Sequence, residues 1–305
     1  MDIAAGDYTA AISPFGGGIR ALTYRGRPLL HGYPAEDFPP LSAGIVLAPW
    51  PNRTTDGVFA HEGRVHRLNI TEPARATAIH GFVGSQRWEP TDGGQDWATL
   101  RLRLQPQPGW PWPMTFTATW RLHPLRGLRA TVQVRNDDPA ASCPLGLGWH
   151  PYLSAQGTPL DQCILTLPAS TNLPLDPVRN VPVGPTIPAA EIVDPAGQAM
   201  SGLWLDHCFG GVDPGAEITL RDCETGAGVA LSADAPFRWY QVFTADPARR
   251  EGFPGVGRAV AVEPMTCPPD ALRSGRDLVV LAAGEQREFA FHVRAVGGVH
   301  KRVEQ

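Results

Sequence analysis

The chain has 305 residues, 43% hydrophobic and 18% charged, which is enough apolar material for a sizeable core and excludes a disordered polypeptide. Its 26 Lys and Arg against 30 Asp and Glu leave a net charge of −4, without the basic excess that a phosphate backbone selects, so nucleic acid is excluded as the expected partner. No apolar run approaches the ~18 residues of a membrane helix.

The 33 glycines and 32 prolines are about a fifth of the chain against a usual ~12%, punctuation for many short segments. A length prior of ~150 residues per domain suggests two domains, but large all-β units run longer as one. The opening MDIAAGDYTAA carries Asp2 and Asp7, no basic n-region and no long apolar stretch, so a cytoplasmic protein without a signal peptide is expected.

Gly16, Gly18 and Ala21 fit G-x-G-x-x-A, but a dinucleotide site needs a helix to begin there, and Gly26 and Pro28 forbid one. A glycine turn between two strands is expected instead. His61, Glu62 and His66 resemble the zinc-protease motif H-E-x-x-H, yet the histidines are five apart among strand and turn residues, so they cannot share a helical face. A nucleophile elbow G-x-S-x-G does not occur.

Residues 97–105, 114–122 and 128–136 alternate apolar or β-branched with mostly polar side chains, the two-residue period of half-buried strands. Tract 168–197 is proline-rich yet carries Leu, Val and Ile at intervals and reads as an ordered, extended excursion with no domain boundary. Further strands are expected at 218–221, 229–232, 237–244, 259–265, 277–282 and 287–296, between Gly, Pro and Asp clusters. The tail, 297–305, is polar and expected to fray. No stretch of twelve residues has a 3.6-residue period, so the crossover helices of a parallel sheet are missing. No repeat of fixed period suggests a propeller. The expected fold is all-β and antiparallel. The five cysteines (143, 163, 208, 223 and 267) are odd in number, widely spaced and free of C-x-x-C, and are expected as reduced, buried thiols.

Four polar environments stand out against apolar, turn-rich surroundings: Asn52 and Arg53 after Pro49-Trp50-Pro51, His80 before Gly81, His150 before Pro151-Tyr152, and Glu263 after Ala259-Val260-Ala261-Val262. A rigid scaffold presents groups to a cleft in this way. Glu263 is the most telling, because both faces of the run before it read as buried and a carboxylate there costs free energy unless paired or used. Taken singly, each histidine also fits a hydrogen-bonded structural role, Glu263 a strand-end ion pair, and Arg53 a solvated surface.

In order, the segments PNR (51–53), AIHG (78–81), GWHPYL (148–153), LWLDHCF (203–209) and VEPMTCPPDA (262–271) resemble the aldose 1-epimerase, or mutarotase, family. The resemblance runs from the opening 10–31 to the strand at 284–296. It implies one large antiparallel β-sandwich over residues 1–305, an open sugar cleft, no metal and no cofactor. It also implies His150 as general acid on the ring oxygen and Glu263 as general base on the anomeric hydroxyl. Asn52, Arg53, His80 and Asp206 would bind sugar hydroxyls or orient the acid. Opening a cyclic hemiacetal does require one proton removed from O1 and one given to O5. Trp50, Trp149, Tyr152 and Phe209 are candidates for stacking on the sugar or, equally simply, for the core.

Galactose-type members carry a glycine pair after the first histidine and a phenylalanine after His-Pro-Tyr, where this chain has Gly81-Phe82 and Leu153. The expected substrate is an aldohexose; a modified sugar such as sulfoquinovose is the alternative, with Arg53 as one cationic partner. A carbohydrate-binding protein that lost the chemistry, and a glycosidase or lyase using Asp206 with Glu263 at ~5–9.5 Å, are the other readings. The chain is expected as a monomer or homodimer.

Overall fold

The structure is a computed structural model and describes residues 1–297; of the tail expected to fray, all but Gly297 lies outside the described residues. Two antiparallel sheets dominate, one of twelve strands and one of nine. The three alternating segments form adjacent strands of the nine-stranded sheet, Trp97–Leu104, Met114–His123 and Gly127–Asn136. Inward residues of Met114–His123 are buried and their neighbours partly or fully exposed, as a two-residue period requires. Next to them runs Gln286–Val296, paired to Gly127–Asn136 from Leu128↔Val293 to Arg135↔Gln286.

The twelve-stranded sheet starts at the N-terminus, with Asp2–Ala5, Tyr8–Ile12, Ile19–Tyr24 and Arg27–Leu30 side by side. Glycines 16–18 turn between two of these strands. Beyond Arg27–Leu30 come the short Tyr152–Leu153 and then Ala259–Met265, Trp239–Ala245 and Asp206–Gly210. Ala259–Met265 is buried along its whole length, the mark of a central strand covered on both faces. Strand limits differ slightly from expectation: the segment at 277–282 narrows to Val279–Leu281. His61 ends one strand of a hairpin and His66 lies in the other, Arg64–Arg67.

One apolar core joins the two sheets. Trp149, from the twelve-stranded sheet, stacks on Phe291 of the other with ring centroids 4.5 Å apart, and Trp120 closes the cluster 5.8 Å from each. Their indole N–H groups donate to Gly44 O and Gly17 O at 3.0 Å, so the rings bury area without orphaning a donor. Truncating such a ring costs about 3–5 kcal/mol. Trp50 and Phe209 are likewise core residues, 3% and 0% exposed.

The proline-rich tract 168–197 is an ordered excursion: Thr171–Leu173 joins the twelve-stranded sheet, pairs with Ile187–Pro188, and the intervening loop folds back through Leu175↔Pro182. All five cysteines are free. Four are buried, but Cys223 is exposed, which corrects the expectation; it follows the strand Ile218–Asp222 in a turn whose amides Asp222 Oδ1 caps.

Candidate active site

At one face of the twelve-stranded sheet, the central strands place polar side chains in rows. Tyr152, Ala261, Phe243 and Asp206 are successive cross-strand partners, and Glu263 opposite Gln241 forms the next row. Directly opposed side chains stand about 5 Å apart. Gln241 Nε2 donates to Asp206 Oδ1 at 2.7 Å, tying one row to the other. Glu263 and Gln241 are each 2% exposed.

His150 follows the two-residue strand Gly148–Trp149, and its main chain is pinned on both sides: its N–H donates to Ile45 O, and Gly44 N–H donates to its carbonyl. This holds His150 Nε2 3.3 Å from Glu263 Oε1. His80 lies edge-on to His150 with ring centroids 5.6 Å apart.

A second wall is made of tight turns. Arg53–Thr55 pairs with Thr77–Ile79, bringing residues 22 to 26 positions apart into register, from Thr55↔Thr77 to Arg53↔Ile79. Asn52, at φ 55°, and His80, at φ 62°, both adopt the left-handed conformation, which asparagine tolerates better than most side chains. They bind reciprocally: His80 N–H donates to Asn52 O at 2.9 Å, and Asn52 N–H to His80 Nδ1 at 3.2 Å. Gly81 has φ 69° and lies so close to Ala48 that a Cβ would sit 1.9 Å from its carbonyl oxygen. Only glycine fits there.

Between the walls lies a cavity of about 210 Å³ whose lining includes all six residues singled out from the sequence: Asn52, Arg53, His80, His150, Asp206 and Glu263. The sequence reading missed Glu72, Gln241, Phe243, Arg250 and Glu251, which also line it. Gln241 left a trace, a polar residue inside the strand-like run 237–244, whereas Glu72 in TEPAR looks like any surface acid. Of the four aromatic candidates only Tyr152 reaches the cavity; no tryptophan among the described residues lines it.

Burial sets the protonation of this site. Loss of solvent pushes the Glu263 carboxyl well above its usual range, Asp206 adds to the rise and Arg53 opposes it. Burial lowers His150 to about 4. His80 falls well below its ordinary value through burial and then the neighbouring His150 and Arg53. The shifts of His150 and Glu263 both favour the uncharged forms, a neutral His150 imidazole beside a protonated Glu263 carboxyl 3.3 Å away. On the turn wall, burial raises Glu72, but hydrogen bonds from Arg53 and Thr77 and the charges of Arg53 and Arg75 outweigh it and hold the carboxyl low.

His80, His150 and Glu263 offer ligand atoms within 4.8 Å of one another. As a metal site the trio fits poorly: His80 Nδ1 accepts the Asn52 amide, so the neutral ring carries its proton on Nε2 and presents a donor where a metal needs a lone pair. His150 Nδ1, Gln241 Oε1 and Glu263 Oε2 are buried and lack hydrogen-bond partners. All three residues line the cavity, and a lining this rich in polar groups suits a ligand rich in hydroxyls, each able to donate and accept.

Residues 2–294 match the family described as Aldose 1-epimerase. An Escherichia coli K12 relative, the uncharacterized protein YihR, is 30% identical over 293 residues, covering 96% of this chain and 92% of that protein. Among solved structures, a GalM/aldose epimerase homologue from C. elegans superposes with a TM-score of 0.83 at 18% identity, covering 97% of this chain and 99% of that one. A galactose 1-epimerase from Lactobacillus acidophilus gives 0.81 at 14% identity, with 97% and 93% covered. These two likenesses concern the fold, a large antiparallel β-sandwich. With the match spanning nearly its whole length, the chain belongs to the aldose 1-epimerase family.

Proposed function

We propose that the protein is a mutarotase that interconverts the α and β anomers of an aldohexose, and that the chain works as a single domain. The observation that carries this reading is the buried His150–Glu263 pair, 3.3 Å apart on a cavity of monosaccharide size. In this reading the Glu263 proton passes to His150 across their 3.3 Å contact when the sugar binds, and Glu263, now a carboxylate, takes the proton of the O1 hydroxyl. The electron pair left on O1 forms the C1 carbonyl, the C1–O5 bond breaks, and O5 receives the proton of His150. Rotation about C1–C2 exposes the other face of the aldehyde. O5 attacks it with the two residues in exchanged roles, so no proton is gained or lost overall. No covalent enzyme intermediate is required.

Asn52, Arg53, His80 and Asp206 bind the hydroxyls in this reading. His80 supplies an Nε2–H donor, and Gln241 holds Asp206 as an acceptor. Tyr152 and Phe243 offer apolar surface to the C–H faces of the ring.

The test is polarimetry of freshly dissolved α-D-glucose and α-D-galactose at neutral pH, comparing wild type and Glu263→Gln with the spontaneous rate. Acceleration by wild type alone supports the reading. Acceleration by both removes Glu263 from the base role, and binding without acceleration by either leaves a carbohydrate-binding protein.

A sulfonated sugar is the second reading, and one observation favours it with a change of partner. Arg53 is occupied by Glu72, whereas Arg250 lines the cavity and forms no ion pair among the described residues. Sulfonated hexose in the same assay, turned over faster than glucose by wild type and not by Arg250→Ala, would select it.

A further inference from the structure

Glu72 faces the cavity, yet it has nothing left to offer a sugar. Its Oε2 accepts from Arg53 Nε at 2.7 Å and from Thr77 Oγ1 at 2.9 Å; its Oε1 accepts from Arg53 Nη2 at 2.9 Å and lies 3.2 Å from Arg75 Nε. A carboxylate has about four acceptor positions; here three accept hydrogen bonds and Arg75 stands as an ion-pair partner beside Oε1. The Arg53 guanidinium is 7% exposed and has five N–H groups, two of them taken by this fork. A forked pair fixes the plane of the guanidinium as well as its position. On the other edge the Nη1 group donates to Asn52 Oδ1 at 3.5 Å, the longest of the guanidinium's hydrogen bonds.

We propose that Glu72 is a positioning residue of the sugar site: it fixes the Arg53 guanidinium so that its Nη1 edge, held only by the long bond to Asn52, meets the sugar hydroxyls. The proposal rests on the cleft being a sugar site. Glu72 is itself held from behind by the excursion of tract 168–197. Arg75 Nη1 donates to Val178 O at 2.7 Å, and Arg179 donates to Arg75 O, Ala76 O and Asp56 Oδ1 at 3.0, 3.0 and 2.6 Å. Asp176 in turn caps the amides of Val178 and Arg179. A distant, proline-rich loop thereby sets the aim of a side chain in the cleft through Arg75 and Glu72.

The experiment measures kcat and KM by polarimetry, and sugar Kd by calorimetry, for Glu72→Gln, Thr77→Val, Arg53→Lys and the double variant Arg53→Lys/Glu72→Gln, with thermal melting of each. Glu72→Gln keeps the shape but turns one acceptor into a donor that faces the guanidinium. It is expected to raise KM and Kd about tenfold with kcat within about threefold of wild type. Arg53→Lys cannot be held by a fork, so adding Glu72→Gln to it should change KM by less than twofold. Thr77→Val removes one support without touching Arg53, keeps the fold testable if Glu72→Gln does not, and should raise KM two- to threefold. Unchanged KM in both Glu72→Gln and Thr77→Val, or a Glu72→Gln effect that persists in full beside Arg53→Lys, overturns the proposal alone. A wild type that neither binds nor turns over sugar overturns the sugar reading and the proposal together.

Discussion

The cleft has two walls of different construction. The strand wall pairs Trp239–Ala245 with Ala259–Met265 over seven consecutive residues, from Trp239↔Met265 to Ala245↔Ala259, and carries Gln241 and Glu263. The turn wall has three such pairs, Arg53↔Ile79 to Thr55↔Thr77, and relies on left-handed residues and an ionic fork to place Asn52, Arg53 and His80. A continuous ladder in the middle of a sheet tolerates little displacement, whereas turns and ion pairs adjust locally at lower cost. The proposed proton transfer stands mainly on the first wall and hydroxyl recognition mainly on the second. That division suits a reaction in which the acid and base must be fixed while the substrate can differ from relative to relative.

The division can be broken from either side. The largest effect is expected at the strand wall: Glu263→Gln, and likewise His150→Asn, should lower kcat by at least ~10²-fold, the contribution of a positioned acid or base, with KM nearly unchanged in polarimetry. A loss confined to KM would place these residues in recognition instead. At the turn wall, Gly81→Ala forces a Cβ against Ala48 O at a positive φ and should lower stability by about 3 kcal/mol or more in denaturant unfolding. An undiminished midpoint would show that this wall yields more easily than its geometry implies. Arg179→Ala, far from the chemistry, should raise KM about twofold and leave kcat alone if the excursion braces the turn wall.

The smallest effect concerns His31, which sharpens the comparison because it lies outside both walls. Its ring is 5.7 Å from that of Phe253, and burial lowers it to about 4. The unfolded chain binds this proton from about pH 6.5 downward. Between that value and 4 the unfolded state therefore holds more protons, and stability falls as pH falls. His31→Gln should flatten this acid slope by a few degrees in thermal melts between pH 6.5 and 4 without altering turnover at neutrality.

How much of this was legible in the sequence depends on length and spacing. Met114–His123 and Gly127–Asn136 have ten residues each, ample for a two-residue period to show. Gly148–Trp149 and Tyr152–Leu153 have two residues each, buried on both faces, so no alternation exists to be read; yet His150 sits between them. The six site residues were recognisable because each lies in a distinctive local string. Glu72 was not, since its importance comes from a partner 19 residues away and from a fork that no single segment encodes.

Most of the nine tryptophans lie in the core, and none among the described residues touches the cavity. Intrinsic indole emission should therefore be blue-shifted in the folded protein, reddening only as the sandwich opens. A sugar titration followed by that signal would look flat even at saturation. The same indifference makes the signal a clean gauge of folding for every cleft variant proposed above, free of contamination from occupancy.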